Sequence, residues 1–453
     1  MNKSAIVIGG GVTGLSLGWA LHRAGRPFHV LEHGEQPGGA IRTNKRDGYL
    51  VEAGPNSLLV NSPVLESLLR GMGLGDEMVE PRPDSKKRYI LRDGRFQAAP
   101  MGPRELISSN LLSNGAKLRM LADIFAMTPH NLAEESLGSF VRRHFGLEVL
   151  DYVVNPFVGG IYAGDPSNLS AQHAFPMLAE AERDTGSVLL GLMKKRKEKK
   201  AKGHNFKSYS LSFKNGMQSL TDTLGKKLGN HLVLSADVTQ IEKDGDIWRV
   251  HWKTPEGDKV MEEAQELFIT IPAHCLAKLP LPKPVHEVIE PLSSIEYPPV
   301  ASVALGYDRS KIGHALDGFG GLIPQVENRR TLGVLFSSTL FDDRAPFGKS
   351  LLTVFIGGSR QPELAGESAE ELVRIATDEM RELLGVRGEP EFSDVTVWPQ
   401  AIPQYRLGYG EYVSAMELAE REFPGLRIMG NYRDGIAVGQ CILNAVNAIE
   451  PVE

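Results

Sequence analysis

The residues best placed to do chemistry stand at the start of the chain. In AIVIGGGVTGLSLGWA, residues 5–20, an apolar run over 5–8 passes into Gly9, Gly10, Gly11, Val12, Thr13 and Gly14, and a helical pattern follows. In a GxGxxG turn each glycine has its own task. Gly9 permits the tight turn, Gly11 lets a pyrophosphate approach the backbone, and Gly14 lets helix and strand pack closely. A second strand is read over Pro27–Leu31, and Glu32 follows it, 18 residues beyond Gly14, with His33 next. A carboxylate there accepts hydrogen bonds from adenosine ribose hydroxyls and repels a 2′-phosphate, which favours FAD or NAD over NADP. The segment EQPGGAIRT adds Gly38, Gly39, Ala40 and Arg42. These are exposed amides and a cation for a long dinucleotide, a device that an ordinary NAD dehydrogenase does not need.

The elements that position these residues can be read from pattern and composition. Val12, Leu15 and Trp19 fall at helical spacing, so one face of the first helix packs on a sheet. With 453 residues, 42% of them hydrophobic, the chain has enough apolar surface for two or three domains. A net charge of −6 gives no general attraction to nucleic acid or to an anionic membrane. The two cysteines, Cys275 and Cys441, form no CxxC pair, which fits a reducing compartment and a cytoplasmic location. Both are read as buried thiols. No Ser/His/Asp order and no metal-like histidine pair is present, so hydrolysis and metal catalysis drop out. The first strand begins within a few residues of Met1, leaving no room for a signal peptide, and no apolar run reaches membrane-spanning length.

Residues 101–203 read as mostly helical, and the basic run KKRKEKKAKGHNFK reads as a solvated loop with the option of touching anionic lipid. It lacks the interleaved aromatics that would stack on bases. LVLSADVTQIEKDGDIWRVHW reads as strand, turn, strand, and ELFITIPA as a buried strand; both rejoin the nucleotide domain. Three strands within 297–357 predict a second, mostly antiparallel sheet. Ser368 and Glu371 form a capping box ahead of an apolar stripe at Leu372, Ile375, Ala376 and Leu383, with a stop at Gly385.

The order GGGVTGL, LEHGEQPGGAIRT, EAGPNS resembles the flavin amine oxidase superfamily. The longer segments KKRYILRDGRF, NPFVGGIYAGDPSNLSAQHAFP, YPPVASVALGY, FIGGSR and GNYRDGIAVGQ resemble, within it, the oxygen-using, FAD-containing protoporphyrinogen oxidases, and the likeness runs through nearly the whole chain. The resemblance implies an α/β fold in three parts. These are a discontinuous Rossmann-like FAD-binding domain (1–85, 205–272, 400–453), an antiparallel-sheet substrate domain (86–100, 273–399) and a helical membrane-associating domain (101–204). It also implies that Gly54, Pro55, Asn56, Ser57, Val238 and Trp398 lie along the cofactor, Val238 contacting adenine through its backbone. The C-terminal stretch 426–450 would return a strand, a glycine-rich turn and a helix to finish the site through Gly430, Ile436, Ala437 and Val438. Covalent flavin attachment through Cys441 is a remote option.

On the substrate side, the resemblance matches Arg88 to an arginine that pairs with a propionate of the porphyrinogen; without it, a surface arginine is the natural reading. Leu322, Leu335 and Phe355 match residues that sandwich the macrocycle. Gly160 matches a glycine whose main chain approaches the substrate beside the flavin, and Asn56 a polar residue facing the reacting centre. The implied reaction takes protoporphyrinogen IX to protoporphyrin IX in three two-electron steps, with O2 as acceptor. Coproporphyrinogen III is the alternative substrate, and a flavin amine oxidase or a silent FAD-binding protein the further ones. Peripheral membrane contact and a homodimer complete the expectation. Two departures are visible: Asn431 replaces the superfamily's usual acid, and Ile161 follows Gly160 where plant relatives carry a smaller polar residue.

Overall fold

Ala5–Ile8 is buried at all four positions, as a strand covered on both faces must be. The computed structural model describes residues 3–125, 133–201 and 206–450. In it this strand is the middle of a five-stranded sheet ordered Leu232–Val233, Phe28–Leu31, Ala5–Ile8, Glu266–Ile269, Leu426–Ile428. Every neighbouring pair is parallel. One face carries helices Val12–Arg23, Gln218–Leu228 and Val438–Asn447, with Leu15, Trp19, Leu220, Leu224 and Ile442 in one core. Val12 itself is only half-buried. The other face is covered by an antiparallel three-stranded sheet, whose Trp248, Val250 and Trp252 share a core with Ile6, Ile8 and Leu267.

A seven-stranded sheet follows the order Phe392–Trp398, Val300–Asp308, Lys349–Gly357, Thr331–Leu335, Gly318–Leu322, Lys87–Arg92, Arg95–Ala98. All pairs are antiparallel except Gly318–Leu322 with Lys87–Arg92. Sequence reading finds the three strands within 297–357 that are rich in β-branched residues. It misses Gly318–Leu322, where three glycines mask the pattern. The back of the sheet, including Val303, Leu305, Val354 and Ile356, packs on helix Ala369–Leu384 through Leu372, Ile375, Ala376 and Met380. That helix opens as the capping box predicts, with Ser368 Oγ accepting from the Glu371 N–H at 3.2 Å, and closes at Gly385 with φ +63°. The front of the sheet meets the nucleotide-binding part: Tyr49 stacks on Phe392 with ring centroids 4.3 Å apart.

Two expectations are corrected. The basic stretch Lys194–Lys200 lies on helix Val188–Ala201, not in a loop. Lys, Arg and Glu are good helix formers, and Gly191 docks this helix on Ala181, where a Cβ would come within 2.3 Å of the carbonyl oxygen. Within the run, residues 202–205 lie outside the described residues. Cys441 is buried, but Cys275 is only half-buried. It sits on the one-turn helix Ala273–Leu276, whose Ala273 and Leu276 take the inward positions.

Candidate cofactor and substrate site

Two helix N-termini end beside each other without caps. Helix Val12–Arg23 starts from Gly11, helix Val438–Asn447 starts from Ala437, and neither N-cap residue offers a side-chain acceptor. Their first N–H groups are therefore free for an anion or a carbonyl edge. A Cβ at Gly11 would meet nothing within 4 Å, whereas one at Gly14 would lie 1.9 Å from the Gly9 carbonyl oxygen. The two glycines thus divide as the motif requires, one opening the cradle and one closing the helix on its strand. Gly9 adopts φ +112°.

The second glycine pair is held against the first, since the Gly38 N–H donates to the Gly10 carbonyl at 2.8 Å. Glu32 reaches across the turn: one oxygen accepts from the Gly10 N–H at 2.6 Å and the other from the Gly34 N–H at 2.7 Å. The Ala236 N–H donates to the Glu32 carbonyl at 2.9 Å, which sets half-buried Val238, on Asp237–Asp244, near the carboxylate end of the cradle. His33, Gly39, Ala40 and Arg42 form an exposed rim, with Arg42 Nε donating to the Gly39 carbonyl at 3.2 Å. Gly54 packs so closely on this rim that a Cβ would come within 1.9 Å of the Ala40 carbonyl oxygen. Pro55, Asn56 and Ser57, all half-buried, follow directly. Thr13 is buried in the first helix. Gly430, with φ +153°, leads from the last strand toward half-buried Ile436 and Val438. An open glycine turn, two uncapped helices and a carboxylate at the second strand end together fit an adenine dinucleotide.

The seven-stranded sheet gathers the second group of residues. Gly320 pairs with Arg88 on one side and Leu335 on the other. Gly333 pairs with Leu322 on one side and Phe355 on the other. Phe355 continues to Ser302 and Thr396, and Trp398 lies two residues further along. Because side chains alternate along a strand, Arg88, Leu322, Leu335, Phe355 and Trp398 share the front face. Gly320 and Gly333 are interspersed on it, two positions without side chains among Leu322, Leu335 and Phe355. Leu322, Leu335 and Phe355 are each half-buried rather than sealed in the core.

This face is tied to other parts of the site at two places. Trp398 Nε1 donates to the Ala53 carbonyl at 2.7 Å, fixing one edge of the face to the residue before Gly54. Helix Asn155–Tyr162 crosses the strands Gly318–Leu322 and Thr331–Leu335, where a Cβ at exposed Gly160 would lie 2.7 Å from Leu322 Cδ2. The Arg88 guanidinium stacks 4.5 Å above the Phe319 ring and, among the described residues, donates only to the Lys86 carbonyl, at 3.4 Å. Partial desolvation lowers its pKa from the ordinary arginine value, and no carboxylate pairs with it among the described residues. Such a cation is available to an incoming carboxylate.

Over residues 12–448 the chain matches the family described as flavin containing amine oxidoreductase. The chain belongs to that family. This flavin amine oxidoreductase is 34% identical to the mitochondrial protoporphyrinogen oxidase of Nicotiana tabacum, over 99% of this chain and 94% of the relative. It is 26% identical to the coproporphyrinogen III oxidase of Bacillus subtilis (strain 168), over 97% and 96%. Among solved structures, an Exiguobacterium sp. 255-15 protein named provisionally as a protoporphyrinogen oxidase superposes with a TM-score of 0.81 at 22% identity, covering 99% of this chain and 98% of its own. The chain is thus an FAD-dependent oxidoreductase of mixed α/β fold with parallel and antiparallel sheets.

Two further features of this flavin amine oxidoreductase bear on its chemistry. Cys441 is buried and its thiol is pushed up to about 11 by that burial, so it is protonated at neutral pH and a poor nucleophile for covalent flavin attachment. Glu52 and Arg344 were missed in the sequence. With Asn56, Ser337 and Thr353 they line a small internal cavity between the front face and the GPNS turn. Burial pushes the Glu52 carboxyl up to about 7, against the Thr43 hydroxyl, the Met217 N–H and nearby Arg344, which favour its charged form. The only signal was an acid inside the otherwise apolar run YLVEAG.

Proposed function

We propose that the protein oxidises protoporphyrinogen IX to protoporphyrin IX in heme biosynthesis, in three two-electron steps with O2 as terminal acceptor. One observation carries the reading: a glycine-bearing face walled by Leu322, Leu335 and Phe355 ends in an unpaired arginine on one side and adjoins the cofactor cradle on the other. A broad, flexible, apolar ring with peripheral carboxylates suits that face. Leu322, Leu335 and Phe355 exclude water from the ring, Arg88 holds a propionate and so sets its rotation, and the bare backbone at Gly160 admits the ring edge. Bound FAD supplies a two-electron acceptor.

Coproporphyrinogen III is the second reading, favoured by the full-length likeness to the Bacillus enzyme. Arg88 and the uncharged Asn56 support the first. Steady-state turnover of the two porphyrinogens, followed by porphyrin fluorescence, distinguishes them: a preference for protoporphyrinogen of tenfold or more is expected, and the reverse preference would reassign the substrate.

We assign residues 1–85, 205–272 and 400–453 to the cofactor domain, 86–100 and 273–399 to the substrate domain, and 101–204 to a helical domain that rests on a membrane surface. Eleven of the seventeen exposed large apolar side chains among the described residues fall in that last range, Ile107, Leu118 and Phe125 among them. Lys194–Lys200 lie on the same part of the chain. No helix among the described residues is long and apolar enough to cross a membrane, so contact would be peripheral, at the inner face, by a cytoplasmic and homodimeric enzyme. Flotation with anionic vesicles tests the contact, and recovery of all protein in the unbound fraction would refute it.

A further inference from the structure

The two glycines at 159 and 160 face different neighbours. A Cβ at Gly160 would strike Leu322, on the substrate side, at 2.7 Å, and one at Gly159 would strike the Arg360 guanidinium at 2.7 Å. Arg360 therefore lies against an adjoining side of the helix, about 100° round from Leu322, in space that only a glycine leaves. From there Nη1 donates to the Ile323 carbonyl at 2.8 Å. Nη2 donates to the Asn155 carbonyl at 3.0 Å and to Asn155 Oδ1 at 2.7 Å. Asn155 Oδ1 also accepts from the Gln325 N–H at 2.9 Å.

One guanidinium thus joins the start of the helix that carries Gly160 to the residue after Leu322. Its hydrogen-bond acceptors are neutral; among the described residues no carboxylate bonds to it, and the Asp165 carboxylate acts on it only through space. Burial lowers its pKa to about 10, so it remains a cation at neutral pH. Holding a desolvated charge mainly with neutral acceptors is costly, and three bonds in a planar fork compensate only while both elements keep their spacing. The helix begins just after a π-helical segment, Leu150–Val154, a local change of hydrogen-bond register.

We propose that Arg360 is a positioning residue that sets the width of the gap between Gly160 and Leu322, and so the depth to which the porphyrinogen ring enters. This rests on the substrate reading given above. Lysine keeps the charge but cannot span both elements, so Arg360→Lys should lower kcat by about tenfold to a hundredfold, since a displacement of about 1 Å is worth that much, while KM changes less than about threefold. Flavin content and Tm should stay near wild type. In a Leu322→Ala background the gap is already open, and adding Arg360→Lys should cost less than about threefold more, the non-additivity expected of residues acting through one another. Gln325→Ala, which removes the acceptor of the 3.3 Å hydrogen bond from Asn155 Nδ2 to Gln325 Oε1 and so loosens the same junction, should lower kcat in the same direction by a smaller factor, and serves if the arginine variant folds poorly.

Wild-type turnover that Arg360→Lys and Gln325→Ala both match would overturn the role, as would losses that simply multiply with that of Leu322→Ala. Wild-type enzyme that oxidises neither porphyrinogen would instead remove the substrate reading itself, and this role with it.

Discussion

The cofactor cradle and the substrate face solve different problems with the same residue type. In the cradle, glycines are adjacent in sequence and act through the backbone: Gly11 leaves a space of 4 Å open, and Gly14 closes to 1.9 Å of a carbonyl oxygen. On the proposed substrate face, Gly320 and Gly333 come from two neighbouring strands and let those strands close on each other, since a Cβ would lie 2.2 Å from the Val334 carbonyl oxygen at Gly320 and 2.8 Å from the Gly321 carbonyl oxygen at Gly333. The cradle is local and polar, and the face is assembled across the chain and apolar. Cofactor loading and substrate handling should therefore be separable by mutation.

The largest effect should come from Gly14→Val, which forces atoms against the Gly9 carbonyl and should yield protein without bound flavin. Gly11→Ala sharpens the point: Gly11 has φ −71°, which alanine adopts freely, and no neighbour within 4 Å. The apoprotein should keep its Tm while FAD content falls, measured by flavin absorbance per protein. A fully loaded Gly11→Ala variant would place the pyrophosphate elsewhere.

Next in size, Gly160→Ala should retain FAD yet lower kcat/KM for the porphyrinogen by about tenfold or more, since the added methyl meets Leu322 where the ring edge must pass. Arg88→Ala should also retain FAD, and should raise KM by about tenfold with less effect on kcat, the worth of a charge-assisted hydrogen bond to one propionate. Unchanged KM would break the assignment of Arg88 to the substrate.

The smallest effect concerns stability. Glu52 keeps its proton up to about pH 7 in the folded protein, against an ordinary value of 4.5. Between those values the unfolded chain releases a proton that the folded one holds, so this group's contribution falls as pH rises through the window, by about 3 kcal/mol in all. Glu52→Gln should flatten that part of the pH dependence of the urea midpoint. An unaltered slope would show that Arg344 already keeps the carboxylate charged.

The contrast between the two regions also explains what could be read in advance. Gly9 to Gly14 and Glu32 announce themselves because their spacing is set by one strand, one turn and one helix. Arg88, Leu322, Leu335 and Phe355 do not, since strand register decides which residues share a face, and register is invisible when the strand is GFGGL. Their roles entered only through family resemblance. Glu52 was hidden because an acid near a strand end reads as solvated, and its burial depends on Thr43 and Met217 closing over it. The basic run reads as a loop because charge alone does not reveal the docking of Gly191 on Ala181, which anchors the helix that carries it.

The central claim is that the glycine-bearing face delivers a porphyrinogen to the flavin. Anaerobic mixing of the FAD-loaded protein with one equivalent of protoporphyrinogen IX tests it most directly. The flavin absorbance should bleach within the time of one turnover and recover on admission of air, with slower bleaching in Arg88→Ala at limiting substrate. Flavin that stays yellow with protoporphyrinogen and with coproporphyrinogen alike would contradict it.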